Sequence, residues 1–171
     1  MNKSIAQISV SNLPGNTNKQ HCRRCDALDR CLNAWLDRTL IRHIFPILVF
    51  RGPFKKHQAI YSKGDPVGSL YVVRSGSVKI KKTLDWGDYD VEGFYFTGDL
   101  FGLDSLDDSV QGYDAIALSN TEICEIPLEQ FEELGTSIPR LQQLFISELA
   151  NQIKRKADRL HNERHLVAED R

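Results

Sequence analysis

Between about residue 47 and residue 127 the sequence is cut into short runs rich in Val, Ile, Tyr and Phe, separated by glycine-bearing turns. Gln58–Ser62 precedes Gly64-Asp65-Pro66, Leu70–Arg74 precedes Ser75-Gly76, and Val78–Thr83 precedes the turn around Trp86-Gly87-Asp88. Val91–Phe96 precedes Gly98-Asp99, and Tyr113–Leu118 and Ile123–Ile126 close the series. Glycine reaches the backbone angles that tight turns demand, and β-branched and aromatic residues suit a pleated, half-buried surface. Regularly spaced short strands with glycine turns predict an antiparallel sandwich or jelly roll.

Helical patterns flank this block. Leu32, Trp35, Leu36, Leu40, Ile41 and Ile44 follow an approximate helical period up to Pro46. Residues 128–134 read as a short helix broken by Gly135, and a long helix begins at Pro139 with Ser137 as its nearby cap. Continued to about His165, that helix would be roughly 40 Å long. Its apolar residues Ile146, Leu149, Ile153, Leu160 and Val167 lie close to a heptad seam, which Lys156 interrupts. One reading packs this helix on its own barrel. We favour a dimer interface formed by Ile146, Leu149, Ile153, Lys156 and Leu160, because so long a helix outreaches a small barrel.

The expected fold class is α+β: a β jelly-roll barrel with an N-terminal cysteine loop and helix and a long C-terminal dimerisation helix. Residues 1–20 form a polar tail, 21–46 the cysteine segment and helix, 47–138 the barrel and 139–171 the long helix. The 171 residues, 41% hydrophobic and 26% charged, suit one domain with an appendage. No apolar run approaches a membrane span, and Met1 to Gln20 holds no apolar signal core, so a cytoplasmic location is expected. The formal charge of −1 divides as +4 over residues 1–43, −7 over 44–138 and +2 over 139–171. Such a balance argues against gripping nucleic acid through bulk charge. Lys79, Lys81 and Lys82 read as a solvated strand face in preference to a nucleic-acid patch. Of the five histidines only His57 lies near the barrel, and no nucleophile–His–acid set is legible, so a cupin-like oxygenase or other enzyme is not expected.

Four cysteines carry the strongest chemical signal. Cys22, Cys25 and Cys31 fall within ten residues, and Cys124 follows 93 residues after Cys31. In a reducing compartment such a cluster points to metal or redox chemistry before disulfides. Cys22-x2-Cys25 places two thiolates near one centre, Cys31 can loop back to it, and Cys124 would complete four-coordinate ligation. Structural zinc and an iron–sulfur cluster both fit. Closed zinc sites more often use paired knuckles, and Cys124 has no neighbouring cysteine, so the arrangement is the more cluster-like. Arg23, Arg24 and Arg30 add positive charge that favours deprotonated sulfur. The alternative is that Cys124 is a buried strand residue unrelated to the loop.

The segment His21-Cys22-Arg23-Arg24-Cys25 through Cys31, with Glu122-Ile123-Cys124-Glu125-Ile126-Pro127, resembles the FNR (fumarate and nitrate reduction) regulators of the CRP/FNR superfamily. Lys63-Gly64-Asp65-Pro66, Leu70-Tyr71-Val72-Val73, Ser75-Gly76-Ser77-Val78-Lys79, Thr97-Gly98-Asp99-Leu100-Phe101-Gly102 and the helix after Pro139 are similar as well. The resemblance implies a 4Fe–4S cluster on Cys22, Cys25, Cys31 and Cys124 that favours a DNA-binding homodimer without oxygen and is degraded by it. It further implies a C-terminal helix-turn-helix domain that these residues do not include, so the chain is expected to be the sensor part of such a regulator. Lys156 falls where the family can carry an acid whose interchain repulsion keeps the oxidised form monomeric. The turn Asp85-Trp86-Gly87-Asp88 corresponds to a region that contacts RNA polymerase in relatives. Sister proteins bind cAMP in the same barrel through a Gly-Glu pair and a later Arg. Here Phe101-Gly102-Leu103-Asp104 lacks the Glu and Gln111-Gly112-Tyr113-Asp114-Ala115 lacks the Arg, so no cyclic nucleotide is expected.

Overall fold

The structure is a computed structural model that describes Cys25 and residues 38–84, 87–106 and 108–169, with 159–169 as backbone. Helix α1 (Arg38–Ile44) runs into a 3-10 turn at Phe45–Ile47. Eight strands follow: β1 (Val49–Phe54), β2 (Ala59–Tyr61), β3 (Ser69–Ser75), β4 (Ser77–Thr83), β5 (Tyr89–Phe96), β6 (Leu100–Phe101), β7 (Asp114–Ala117) and β8 (Thr121–Pro127). Helices α2 (Leu128–Ser137) and α3 (Pro139–Glu169) end the described chain. The strands form two four-stranded antiparallel sheets, ordered β1-β8-β3-β6 and β2-β7-β4-β5. This is the expected jelly roll.

The first sheet is covered on both faces, which explains the unbroken apolar run of β3. Tyr71, Val73, Phe101 and Ile123 point into the sandwich and meet Tyr61, Val78, Ile80 and Ala115. Leu70, Val72, Leu100, Cys124 and Ile126 point outward and are sealed by Leu40, Ile44, Leu48, Phe131 and Leu141. Because side chains alternate along a strand, a sheet buried on both faces reads as continuous hydrophobicity. The second core therefore joins α1, α2 and the root of α3 to the barrel.

Three local expectations need correction. Gly135 does not end α2; it is buried inside that helix, where an added Cβ would lie 3.1 Å from Gln142 Cγ. A small residue is needed there so that α3 can fold back closely on α2. Ser137 does not cap α3, since its hydroxyl donates 3.4 Å back to the Glu133 carbonyl. The long helix runs past His165 to Glu169, giving roughly 46 Å at the standard rise. Strand β1 was hidden by Gly52-Pro53, where the β1–β8 register shifts, and β6 is only two residues long. Among the described residues no helix is long and apolar enough to cross a membrane.

Candidate functional site

Cys124 lies on the outer, helix-covered face of the first sheet. Its register partners are Phe50 on β1 and Val72 on β3, so the cysteine sits in the middle of a three-strand row and is 8% exposed. One step along the same face stand Arg74 on β3 and Glu122 on β8, whose side chains pair at 3.2 Å. The guanidinium carbon of Arg74 is 5.3 Å from the centre of the Phe50 ring. Cys25, half-buried and free of disulfide, acts on the charge of Arg74. Burial weakens the Arg74 charge, but the hydrogen bond to Cys25 and attraction from Glu122, Cys25 and Cys124 outweigh it and hold its pKa above the ordinary value.

Two of the four sequence-selected cysteines thus act on one cation. Cys22 and Cys31 lie outside the described residues, as do residues 1–20 and the helical positions Leu32, Trp35 and Leu36. Among the described residues no three His, Cys, Asp or Glu side chains form a metal group. Arg74 was missed by sequence reasoning. Its signal was its place two residues after Val72, on the strand face of Cys124, but only its pairing with Glu122 across the irregular β3–β8 step shows that.

The barrel interior is filled with aromatic rings. Tyr61 and Tyr71 lie 5.3 Å apart, Tyr71 and Phe101 5.3 Å, and Tyr95 and Phe101 5.7 Å, all between ring centres. Burial raises the Tyr71 phenol to about 12 and pushes Tyr61 up further, with Asp104 adding to the effect at Tyr61. The Tyr61 hydroxyl and the Gln111 amide nitrogen are buried without hydrogen-bond partners among the described residues. Asp114 accepts from the Lys63 backbone N–H at 2.9 Å and the Thr83 hydroxyl at 3.0 Å, and pairs with Lys81 at 3.5 Å. Burial works against its charge, yet those three partners hold its carboxyl below the ordinary range. Lys79 and Lys81 also stand over the Tyr89 ring at 4.6 and 5.2 Å. The lysine strand is therefore engaged with its own sheet.

The long helix presents two faces. Leu141, Glu148 and Gln152 are buried, and Gln152 Nε2 donates to the Leu100 carbonyl at 2.8 Å. Ile146 and Ile153 are 63% and 70% exposed. Leu149 is half-buried, and the side chain of Leu160 lies outside the described residues. Lys156 turns toward its own barrel and pairs with Asp104 at 3.3 Å. Of the candidate polymerase turn, Asp85 and Trp86 lie outside the described residues, while the Leu84 N–H donates to the Asp88 carbonyl at 2.8 Å. His57 occupies an exposed turn with φ 71°.

Residues 51–137 match the cyclic nucleotide-binding domain family. The chain is 31% identical over 147 residues to the transcriptional activator protein Anr of Pseudomonas aeruginosa, covering 86% of this chain and 59% of that protein. It is 30% identical over 138 residues to the fumarate and nitrate reduction regulatory protein of Escherichia coli K12, covering 81% and 55%. It therefore spans somewhat over half the length of these curated relatives. Among solved structures, the catabolite activator protein of Thermus thermophilus superposes with TM-score 0.62 at 23% identity, covering 81% of this chain and 63% of that one. A cyclic nucleotide-binding domain from Methylobacillus flagellatus superposes with TM-score 0.68 at 15% identity, covering 83% and 85%. These two likenesses concern the fold. By its barrel, its matched residues and its regulator homologues, the chain belongs to the cyclic nucleotide-binding domain family and to the CRP/FNR superfamily.

Proposed function

We propose that the chain is the sensory and dimerisation part of an oxygen-responsive transcription regulator, with Cys22, Cys25, Cys31 and Cys124 as ligands of a 4Fe–4S cluster. The observation that carries this reading is that Cys25 and Cys124, 99 positions apart in sequence, both act on the charge of Arg74. Soft sulfur donors beside a fixed cation suit an anionic iron–sulfur centre. When bound, the cluster would supply an oxygen-labile link between the N-terminal segment and strand β8.

The chain's own residues then define how that link reaches the long helix. Cys124 shares one core with Leu40 and Ile44 of α1 and with Leu141 at the root of α3. Tying Cys25 to β8 would join it to the sheet face on which Leu40 and Ile44 of α1 and Leu141 of α3 pack. A coupling of about 1–3 kcal/mol through that shared core is enough to shift a monomer–dimer equilibrium appreciably. The exposed Ile146 and Ile153, with the half-buried Leu149 between them, are the proposed self-association surface, and Leu160 continues the same spacing in sequence. DNA contact is assigned to a domain outside these 171 residues.

Cyclic-nucleotide sensing is disfavoured by specific contacts. Asp114 would face a phosphate with its own negative charge, and rings occupy the barrel interior. Protein prepared without oxygen is expected to be brown, to carry iron and acid-labile sulfide, and to bleach in air. Zinc without sulfide in that preparation would replace the cluster with a structural metal. Sedimentation before and after air exposure should show different species, and identical species would remove the switch.

A further inference from the structure

We infer that Gln152 and Lys156 form a polar latch that fixes the rotation of α3 on its barrel and so presents Ile146 and Ile153 to a second copy of the chain. The inference rests on the proposed self-association surface and names the residues that aim it. Leu141, Leu144 and Phe145 hold the root of α3 in the apolar core. Farther along, the helix meets the barrel through polar groups. Gln152 Nε2 donates to the Leu100 carbonyl of β6 at 2.8 Å, and Lys156 Nζ donates to Asp104 Oδ1 at 3.3 Å. Glu148, one turn before Gln152, accepts from Gln152 Nε2 at 3.3 Å and from Arg155 at 2.7 Å. Glu148 and Gln152 are themselves buried, so their polar atoms depend on these partners.

Apolar packing is non-directional and tolerates a turning helix, whereas a hydrogen bond survives only within narrow limits of distance and angle. Residues 148, 152 and 156 recur every four positions and share one helix face. Successive residues turn by about 100° around the axis, so Ile153 points about that far from Gln152. Ile146 precedes Ile153 by seven residues and falls on the same stripe. Turning α3 by one residue would carry Ile153 toward the barrel. It would also leave the Asp104 side chain, only 7% exposed, without its cation. A cleft of about 150 Å³ lies beside the latch, lined by Glu92, Tyr95, Asp99, Arg155 and Lys156 among others. The latched half of α3 is therefore open to water on one side, unlike its sealed root.

Hydrogen exchange, read by mass spectrometry, tests the latch in the 171-residue chain carrying Ile146→Glu and Ile153→Glu, where a second copy lends no protection. Against that parent, Gln152→Leu and Lys156→Met should each speed exchange over residues 148–158 about tenfold and leave 139–145 within about twofold, as local opening does. Equal acceleration of both halves would mean a general loss of stability and would overturn the latch. Unchanged exchange in both halves would overturn it too. The variants remove separate contacts, so one suffices where circular dichroism shows the other unfolded, and Asp104→Asn stands in if neither folds. With both isoleucines restored, the same variants should weaken self-association about tenfold in sedimentation of anaerobically prepared protein. Unchanged self-association would overturn the aiming role. A parent that stays monomeric while the local exchange effect holds would strike the self-association surface and leave the latch.

Discussion

Gly76 and Gly64 both hold positive φ, at 85° and 92°, but their surroundings differ. A Cβ on Gly76 would meet the Asn120 carbonyl oxygen at 2.5 Å and Thr121 Oγ1 at 2.6 Å, whereas one on Gly64 would meet nothing within 4 Å. Gly64→Ala should therefore cost only the left-handed backbone penalty, about 1 kcal/mol. Gly76→Ala adds a clash with backbone that has no room to yield, so about 3 kcal/mol or more is expected in urea unfolding. Both glycines read as turn residues in the sequence. Their difference was illegible there, because the crowding at Gly76 comes from a loop more than forty positions away. Arg74 was illegible for the same kind of reason, since its partners Glu122 and Phe50 are brought to it only by strand pairing.

Elements are joined here by charged groups as well as by packing. Asp114 ties β7 to β4 and to the turn before β3, through Thr83, Lys81 and the Lys63 N–H. Its folded pKa lies below its ordinary value of 3.8, so its ionised form stabilises the fold above that value. The contribution is lost as pH falls through the lower, folded value. Asp114→Asn should therefore lower unfolding free energy at neutral pH, and the gap from the parent should close on acidification below 3.8. The attachment of α3 to the barrel is testable in the same way. Asp104 is 7% exposed and Lys156 44%, so Lys156→Met leaves a nearly buried carboxylate without its cation. That single change should cost about 1–2 kcal/mol, and Asp104→Asn in the same chain should recover part of it. A four-protein urea cycle measures the coupling, and additivity would show that the pair does not hold the helix. Heptad spacing alone placed Lys156 in the seam with Ile153. The barrel supplies Asp104 as its partner, which no helical period contains.

At the scale of the whole molecule, one core links the cysteine face, α1, α2 and the root of α3. Beyond that root, Ile146 and Ile153 face solvent. Ile146→Glu with Ile153→Glu should change monomer stability by only about 0.5 kcal/mol, as exposed substitutions do. The same pair should abolish self-association in sedimentation of the anaerobically prepared protein. A double variant that still dimerises would place the interface elsewhere.

Strand succession, the long helix and the spacing of the cysteines were legible from residues alone, because period, turn chemistry and residue type are local properties. Hydrophobic runs and glycine turns were enough to specify a jelly roll, even with β1 obscured by Gly52-Pro53 and β6 too short to register. Long-range packing alone settles which face of β8 carries Cys124, that Arg74 and Glu122 pair near it, and that Lys156 belongs to Asp104. Each of those depends on strand register or on a contact between distant segments. A shift of one residue in register would turn Cys124 into the aromatic interior.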